Sequence, residues 1–120
     1  MTLSPRAVRR LVLEESRRAD VGHIGSALSV VDILVALFGG VLRPCAPTDP
    51  DRDRFILCKG HAALALYATL HLTGLLGRDA LRSYCGDASL LGVHPCHRLP
   101  GVDFSTGSLG QGLSIAVGAA

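Results

Sequence analysis

The chain has 120 residues, which suits one domain or part of one, and its 48% apolar content provides for a core. Aromatics are only 4% and Trp is absent, so alanine, leucine and valine must fill that core. The formal net charge is +2, with basic residues scattered or paired with acids, so nothing points to nucleic acid or an anionic membrane. No apolar run reaches the roughly 20 residues of a membrane span.

The amino terminus, Met-Thr-Leu-Ser-Pro-Arg, shows no signal-peptide h-region. Ser4-Pro5 is a helix start, with Ser as N-cap and Pro in the first turn. Val8, Leu11 and Val12 line one face through about Arg18. Arg10–Glu14 and Glu14–Arg18 are expected ion pairs one turn apart on the solvent side. Next comes Asp-Val-Gly-His-Ile-Gly-Ser-Ala-Leu-Ser over residues 20–29, where Gly22 and Gly25 flank His23 and Ile24. Glycine there lets the backbone approach another object closely. Ser29 and Asp32 are spaced like a capping box, so a helix is predicted over 30–38, ended by Gly39-Gly40. That helix is apolar nearly all round and should be covered on several sides.

Residues 43–54 read as a loop rich in Pro and Asp. Asp49, Asp51 and Asp53 alternate with Pro50, Arg52 and Arg54, and the interleaved arginines argue against a cation site. Phe55, Ile56, Leu57 and Cys58 form a short apolar run that reads as a buried strand. Gly60 allows a turn carrying Lys59 and His61, and a helix apolar on every face is predicted over 62–72, ending at Gly74. A short helix is expected over 78–84. Residues 85–103 follow, containing His94-Pro95-Cys96-His97 and Pro100-Gly101. Finally 104–112 is a loop with Gly107, Gly110 and Gly112, opening a helix of Leu113, Ile115, Ala116 and Val117 that runs to Ala120 without a C-cap. It looks interrupted, and a second chain or further residues are expected to cover it.

Four stretches could carry chemistry. Lys59-Gly60-His61 lies between a strand and a helix amino terminus, where α/β folds bind anions such as a diphosphate; a plain surface turn is the alternative. Gly22-His23-Ile24-Gly25 can present an imidazole to a small molecule, or be an ordinary loop. His94 and His97 with Cys85 and Cys96 invite a zinc reading. Cys96 and His97 are adjacent, however, and could not easily share one tetrahedral ion. Ser105-Thr106-Gly107-Ser108-Leu109-Gly110-Gln111-Gly112 lets the main chain lie against a flat ligand. It lacks the lysine of a Walker loop, and no buried strand ends just before it. The cysteines Cys45, Cys58, Cys85 and Cys96 form no C-x-x-C pair and are expected as reduced thiols in a cytosolic protein.

Taken together and in order, these stretches resemble the amino-terminal section of transketolases. That family shows Gly-His-x-Gly, then Asp-Arg-x-x-x-x-x-Lys/Asn-Gly-His, then a His-Pro loop with Pro-Gly, then Thr-Gly-Pro/Ser-Leu-Gly-Gln-Gly. Here they are Gly22–Gly25, Asp53-Arg54 through Lys59-Gly60-His61, His94-Pro95 with Pro100-Gly101-Val102, and Thr106 through Gly112. Ile24 and Ser108, where longer members often carry proline, resemble the split form made of two separate polypeptides.

The resemblance implies an α/β fold, the amino-terminal part of a three-layer thiamine diphosphate-binding fold. It would be mostly helical with one or two short parallel strands, and residues 1–120 would form part of that domain. It further implies thiamine diphosphate and Mg²⁺ held between two chains, and transfer of a two-carbon ketol unit between sugar phosphates or related carbonyl substrates. By resemblance, His61 would sit near the diphosphate and thiazolium side, and His23 and His94 would face the substrate and its proton transfers. Gly107, Ser108 and Leu109 would touch the aminopyrimidine through the main chain. His97 matches no family position.

The family's metal-holding Gly-Asp-Gly segment and its activating glutamate are not among these 120 residues. Mg²⁺ ligands are therefore expected outside this segment. The chain alone is expected to be inactive and to act with complementary subunits. A truncated non-catalytic remnant, or a zinc-binding interaction module, are the alternative readings.

Overall fold

A computed structural model describes residues 2–120. The first helix, α1 (Pro5–Ala19), starts as its sequence predicts. Ser4 is extended, and its Oγ accepts the Ala7 N–H at 3.2 Å. Asp20 ends it in the left-handed region, its N–H returned to the last turn. Val8, Leu11 and Val12 are buried, and Arg10 pairs with Glu14 at 2.6 Å on the solvent side. The expected Glu14–Arg18 pair does not form. Arg18 turns instead to Glu15 at 2.6 Å and donates to the Tyr84 carbonyl at 3.1 Å. Glu15 lies on the buried face, and a buried carboxylate needs a partner more than an exposed one does.

The next helix begins earlier than predicted. His23 is its left-handed N-cap, and α2 (Ile24–Ser29) winds directly from it into α3 (Val31–Ala36). The Ser29/Asp32 capping box is absent: Ser29 Oγ donates to the Ser26 carbonyl, and Asp32 pairs with Arg9 across from α1. Gly39-Gly40 do not stop the helix at once. They sit in a π-helical turn (Leu37–Val41), closed by Leu42 N–H to the Leu37 carbonyl at 2.8 Å. Without side chains, the glycines let the turn widen before it breaks.

A 3₁₀ turn (Gly60–Ala62) leads into α4 (Ala63–Leu72), the hub of the fold. Every residue from Ala63 to Leu70 is buried, as a helix without a polar face requires. Helices α1, α2, α3 and α5 (Arg78–Arg82) all pack against it. Tyr84, Leu91, Leu99 and Val102 complete the core from the later loops. The last helix, α6 (Gln111–Ala119), enters through Gly110 at positive φ.

The strand reading is corrected: among the described residues there is no strand. Residues 55–58 have no parallel neighbour to hydrogen-bond with, and a strand exists only as part of a ladder. Side chains serve this backbone instead. Asp103 accepts the Phe55 N–H at 3.2 Å, and the Thr106 hydroxyl donates to the Leu57 carbonyl at 2.6 Å. Asp103 also receives the Arg52 guanidinium on both oxygens, with its own side chain only 8% exposed. The approach to His61 and the approach to the glycine loop are thereby tied together.

Candidate functional site

The amino-terminal ends of α2, α4 and α6 lie near one another, and each brings one of the singled-out motifs. The rings of His23 and His61 meet edge to face, with centroids 5.5 Å apart. His23 reaches this place because the N-cap of α2 is left-handed, at φ 65°. His61 reaches it because the 3₁₀ turn presents it just before α4 begins.

The glycine loop closes on the same turn. A Cβ on Gly60 would lie 2.8 Å from the carbonyl carbon of Thr106 and 2.9 Å from the Gly107 nitrogen, so only glycine permits this crossing. A Cβ on Gly112 would lie 2.6 Å from the Cys58 Cα, so α6 also starts against the segment before His61. On the far side of the loop, a Cβ on Gly107 would stand 3.6 Å from the His94 ring. His23, His61 and His94 thus border one shelf, with Gly107 between His94 and the Gly60 turn.

Solvent access and charge suit proton exchange there. His23 and His94 are exposed and His61 is half-buried, while Ser108 and Leu109 are exposed at the loop tip. Partial desolvation, then the positive potentials of His23, Lys59 and His94, push the His61 imidazole below its ordinary value. A neutral imidazole near pH 7 can both accept and pass on a proton.

Two features of the site were not legible in the motifs. Tyr67, on the hub helix, shares its hydroxyl proton between the Gly92 and His94 carbonyls at 3.0 and 3.1 Å. Burial, then Tyr84, Cys85 and Cys96, push that phenol up, so it stays a donor at any ordinary pH. Lys59, read as an anion donor, points elsewhere: its Nζ donates to Ser29 Oγ at 2.7 Å and to the Ser26 carbonyl at 3.2 Å. It is a cross-link to α2.

The Cys/His loop behaves differently from a metal site. The Nδ1 of His97 sits 3.0 Å from Ser105 Oγ, which also accepts the His97 N–H. Hydrogen bonds from the Arg98 backbone and side chain hold the Cys96 thiol below its ordinary value. Among the described residues, no three of His, Cys, Asp and Glu gather as metal ligands, and all four cysteines carry free thiols.

Comparison with known proteins bears on the same stretches. The family model described as "Transketolase, thiamine diphosphate binding domain" matches residues 2–120. The chain is 40% identical over 114 residues to a subunit of the apulose-4-phosphate transketolase of Phocaeicola vulgatus, covering 93% of this chain and 41% of that one. It is 42% identical over 116 residues to the 6-deoxy-6-sulfo-D-fructose transketolase subunit SqwG of a Clostridium species, covering 94% and 42%. To transketolase 2 of Escherichia coli it is 42% identical over 118 residues, covering 95% of this chain and 18% of that one. The chain therefore spans less than half the length of each of these relatives.

Proposed function

This chain belongs to the transketolase family, within its thiamine diphosphate-binding domain, and from that premise we propose that it is the amino-terminal part of a transketolase-like transferase. It acts with complementary chains in a cytoplasmic oligomer. The reaction is transfer of a two-carbon ketol unit between sugar phosphates or related carbonyl compounds. The observation that carries the reading is the meeting of the His23 and His61 rings at 5.5 Å beside the glycine loop.

The residues present fit the cofactor. Gly60 lets the glycine loop pack directly on the 3₁₀ turn and Gly107 lies beside the His94 ring, so main chain and imidazoles make up the surface that a flat heterocycle would meet. Gly107, Ser108 and Leu109 would receive the aminopyrimidine through main-chain groups, and His61 would stand at the diphosphate and thiazolium side. Thiamine diphosphate, when bound, supplies the carbanion chemistry that two-carbon transfer needs. This chain's part is to orient and to move protons. His61, held below its ordinary value, can take a proton, and His23 and His94, both exposed, would face the substrate. Mg²⁺ would be held by residues outside these 120. The naming of two relatives as subunits supports a divided assembly.

The test is His61→Ala in the assembly reconstituted with its complementary subunit. Turnover should fall by roughly a hundredfold or more, the range for a lost proton-transfer group, and cofactor retention should weaken. Unchanged turnover and cofactor affinity would remove His61 from the site.

A further inference from the structure

We propose that Lys59 is a positioning residue that holds the His23–His61 pair in register by fastening the turn before His61 to the far end of the helix that His23 caps.

The turn lies along α2 and touches it at two points. At one end, His61 meets the His23 ring at 5.5 Å. At the other, Lys59 Nζ reaches Ser29 Oγ at 2.7 Å and the Ser26 carbonyl at 3.2 Å. Ser26 and Ser29 lie three and six residues beyond His23, so along the helix the lysine fixing is about 4.5–9 Å from the histidine one at 1.5 Å per residue. Two fixings at that separation stop the turn from pivoting, where one would not.

The histidine contact cannot hold itself. An edge-to-face pair of neutral imidazoles attracts weakly, and a doubly protonated pair repels. The lysine fixing is of the opposite kind. Where α2 passes into α3 the Val30 N–H bonds the Ala27 carbonyl and not that of Ser26, whose carbonyl accepts from the Ser29 and Lys59 side chains. Ser29 Oγ donates to that same carbonyl at 2.9 Å, so the two acceptors are already oriented toward one donor. Lys59 also faces His61 as a positive charge, together with His23 and His94. It therefore helps to keep protons off the ring that it positions.

The catalytic weight of this spacing rests on the function proposed above; the spacing itself does not. The test is NMR of the full chain with isotope-labelled histidine, following the His23–His61 ring cross-peak and the His61 titration. In Lys59→Met, which keeps the stem and loses the ammonium, the cross-peak should vanish and the His61 midpoint should rise. In Lys59→Arg the cross-peak should return. A Lys59→Met chain with a native amide spectrum and an intact cross-peak overturns the proposal, even if the midpoint moves, because the lysine would then supply charge alone. If Lys59→Met does not fold, Ser29→Ala decides: it removes the acceptor at 2.7 Å. A weakened cross-peak upholds the proposal and an unchanged one overturns it. Loss of the cross-peak in a chain whose assembly binds no thiamine diphosphate would uphold the positioning role and reject the function instead.

Discussion

Helices α4 and α6 are both apolar on most faces, yet the structure treats them in opposite ways. In α4 every residue from Ala63 to Leu70 is buried. In α6 only Gly112 is buried, and Leu113 and Val117 each stand 73% exposed, as does Leu109 just before it. Hydrophobicity states that a helix needs cover; it does not say which polypeptide supplies it. The core of these 120 residues closes around α4, while α6 is anchored at its amino end and presents an apolar flank. Both helices nevertheless direct their amino-terminal approaches to the same shelf. The buried one brings the titrating side chain of His61, and the exposed one brings the main chain of 107–109.

The contrast can be broken most forcefully in the core. Leu66→Ala should cost about 2–5 kcal/mol, because the emptied volume inside α4 cannot fill. Leu113→Ala in α6 should change the stability of the isolated chain by only about 0.5 kcal/mol. Urea denaturation of the two variants gives both values, and equal losses would mean that α6 is buried in solution. A finer comparison lies within α6. Gly112→Ala drives a methyl into Cys58 and should cost about 1–3 kcal/mol. At Gly118, where an added Cβ meets nothing within 4 Å, the same change should gain at most about 1 kcal/mol.

The smallest effect is one of pH, and it acts through the α4 end of the site. The His61 value is lowered in the folded chain, so the unfolded chain binds the proton more readily. The stabilising contribution is complete above the ordinary histidine value of about 6.5. It is lost as pH falls through the depressed folded value. His61→Gln should flatten that part of the stability profile, measured by thermal melts between neutral and mildly acid pH, and should leave the behaviour of α6 untouched.

What could be read beforehand follows the range of each interaction. Ser4-Pro5 announced α1 because a cap is local, and the all-apolar run of α4 announced burial because no face was left for water. The strand at 55–58 was misread because a ladder needs a neighbouring backbone, which composition cannot supply. The helix starts at Ile24, before the Ser29/Asp32 spacing that suggests a cap, because that spacing is only a local pattern. The actual boundary is the left-handed His23, a conformation rare for a residue with a side chain. The spacing of Asp32 suits a capping partner, but Arg9 on α1 takes its carboxylate.

The site divides in the same way. The residues bordering the shelf were visible as motifs, through their resemblance to a family. Their supports were not. Tyr67 holds carbonyls 25 and 27 residues away, and Lys59 reaches back 30 residues to Ser29. No local pattern encodes such contacts.

The most direct test of the shelf as a shared, incomplete cofactor site is an NMR titration of the chain with thiamine diphosphate and Mg²⁺. Shifts are expected at His23, His61 and Gly107–Leu109, saturating only at millimolar cofactor and tightening when the complementary subunit is added. Shifts confined to surfaces away from those residues, or saturation at micromolar cofactor without any partner, would contradict it.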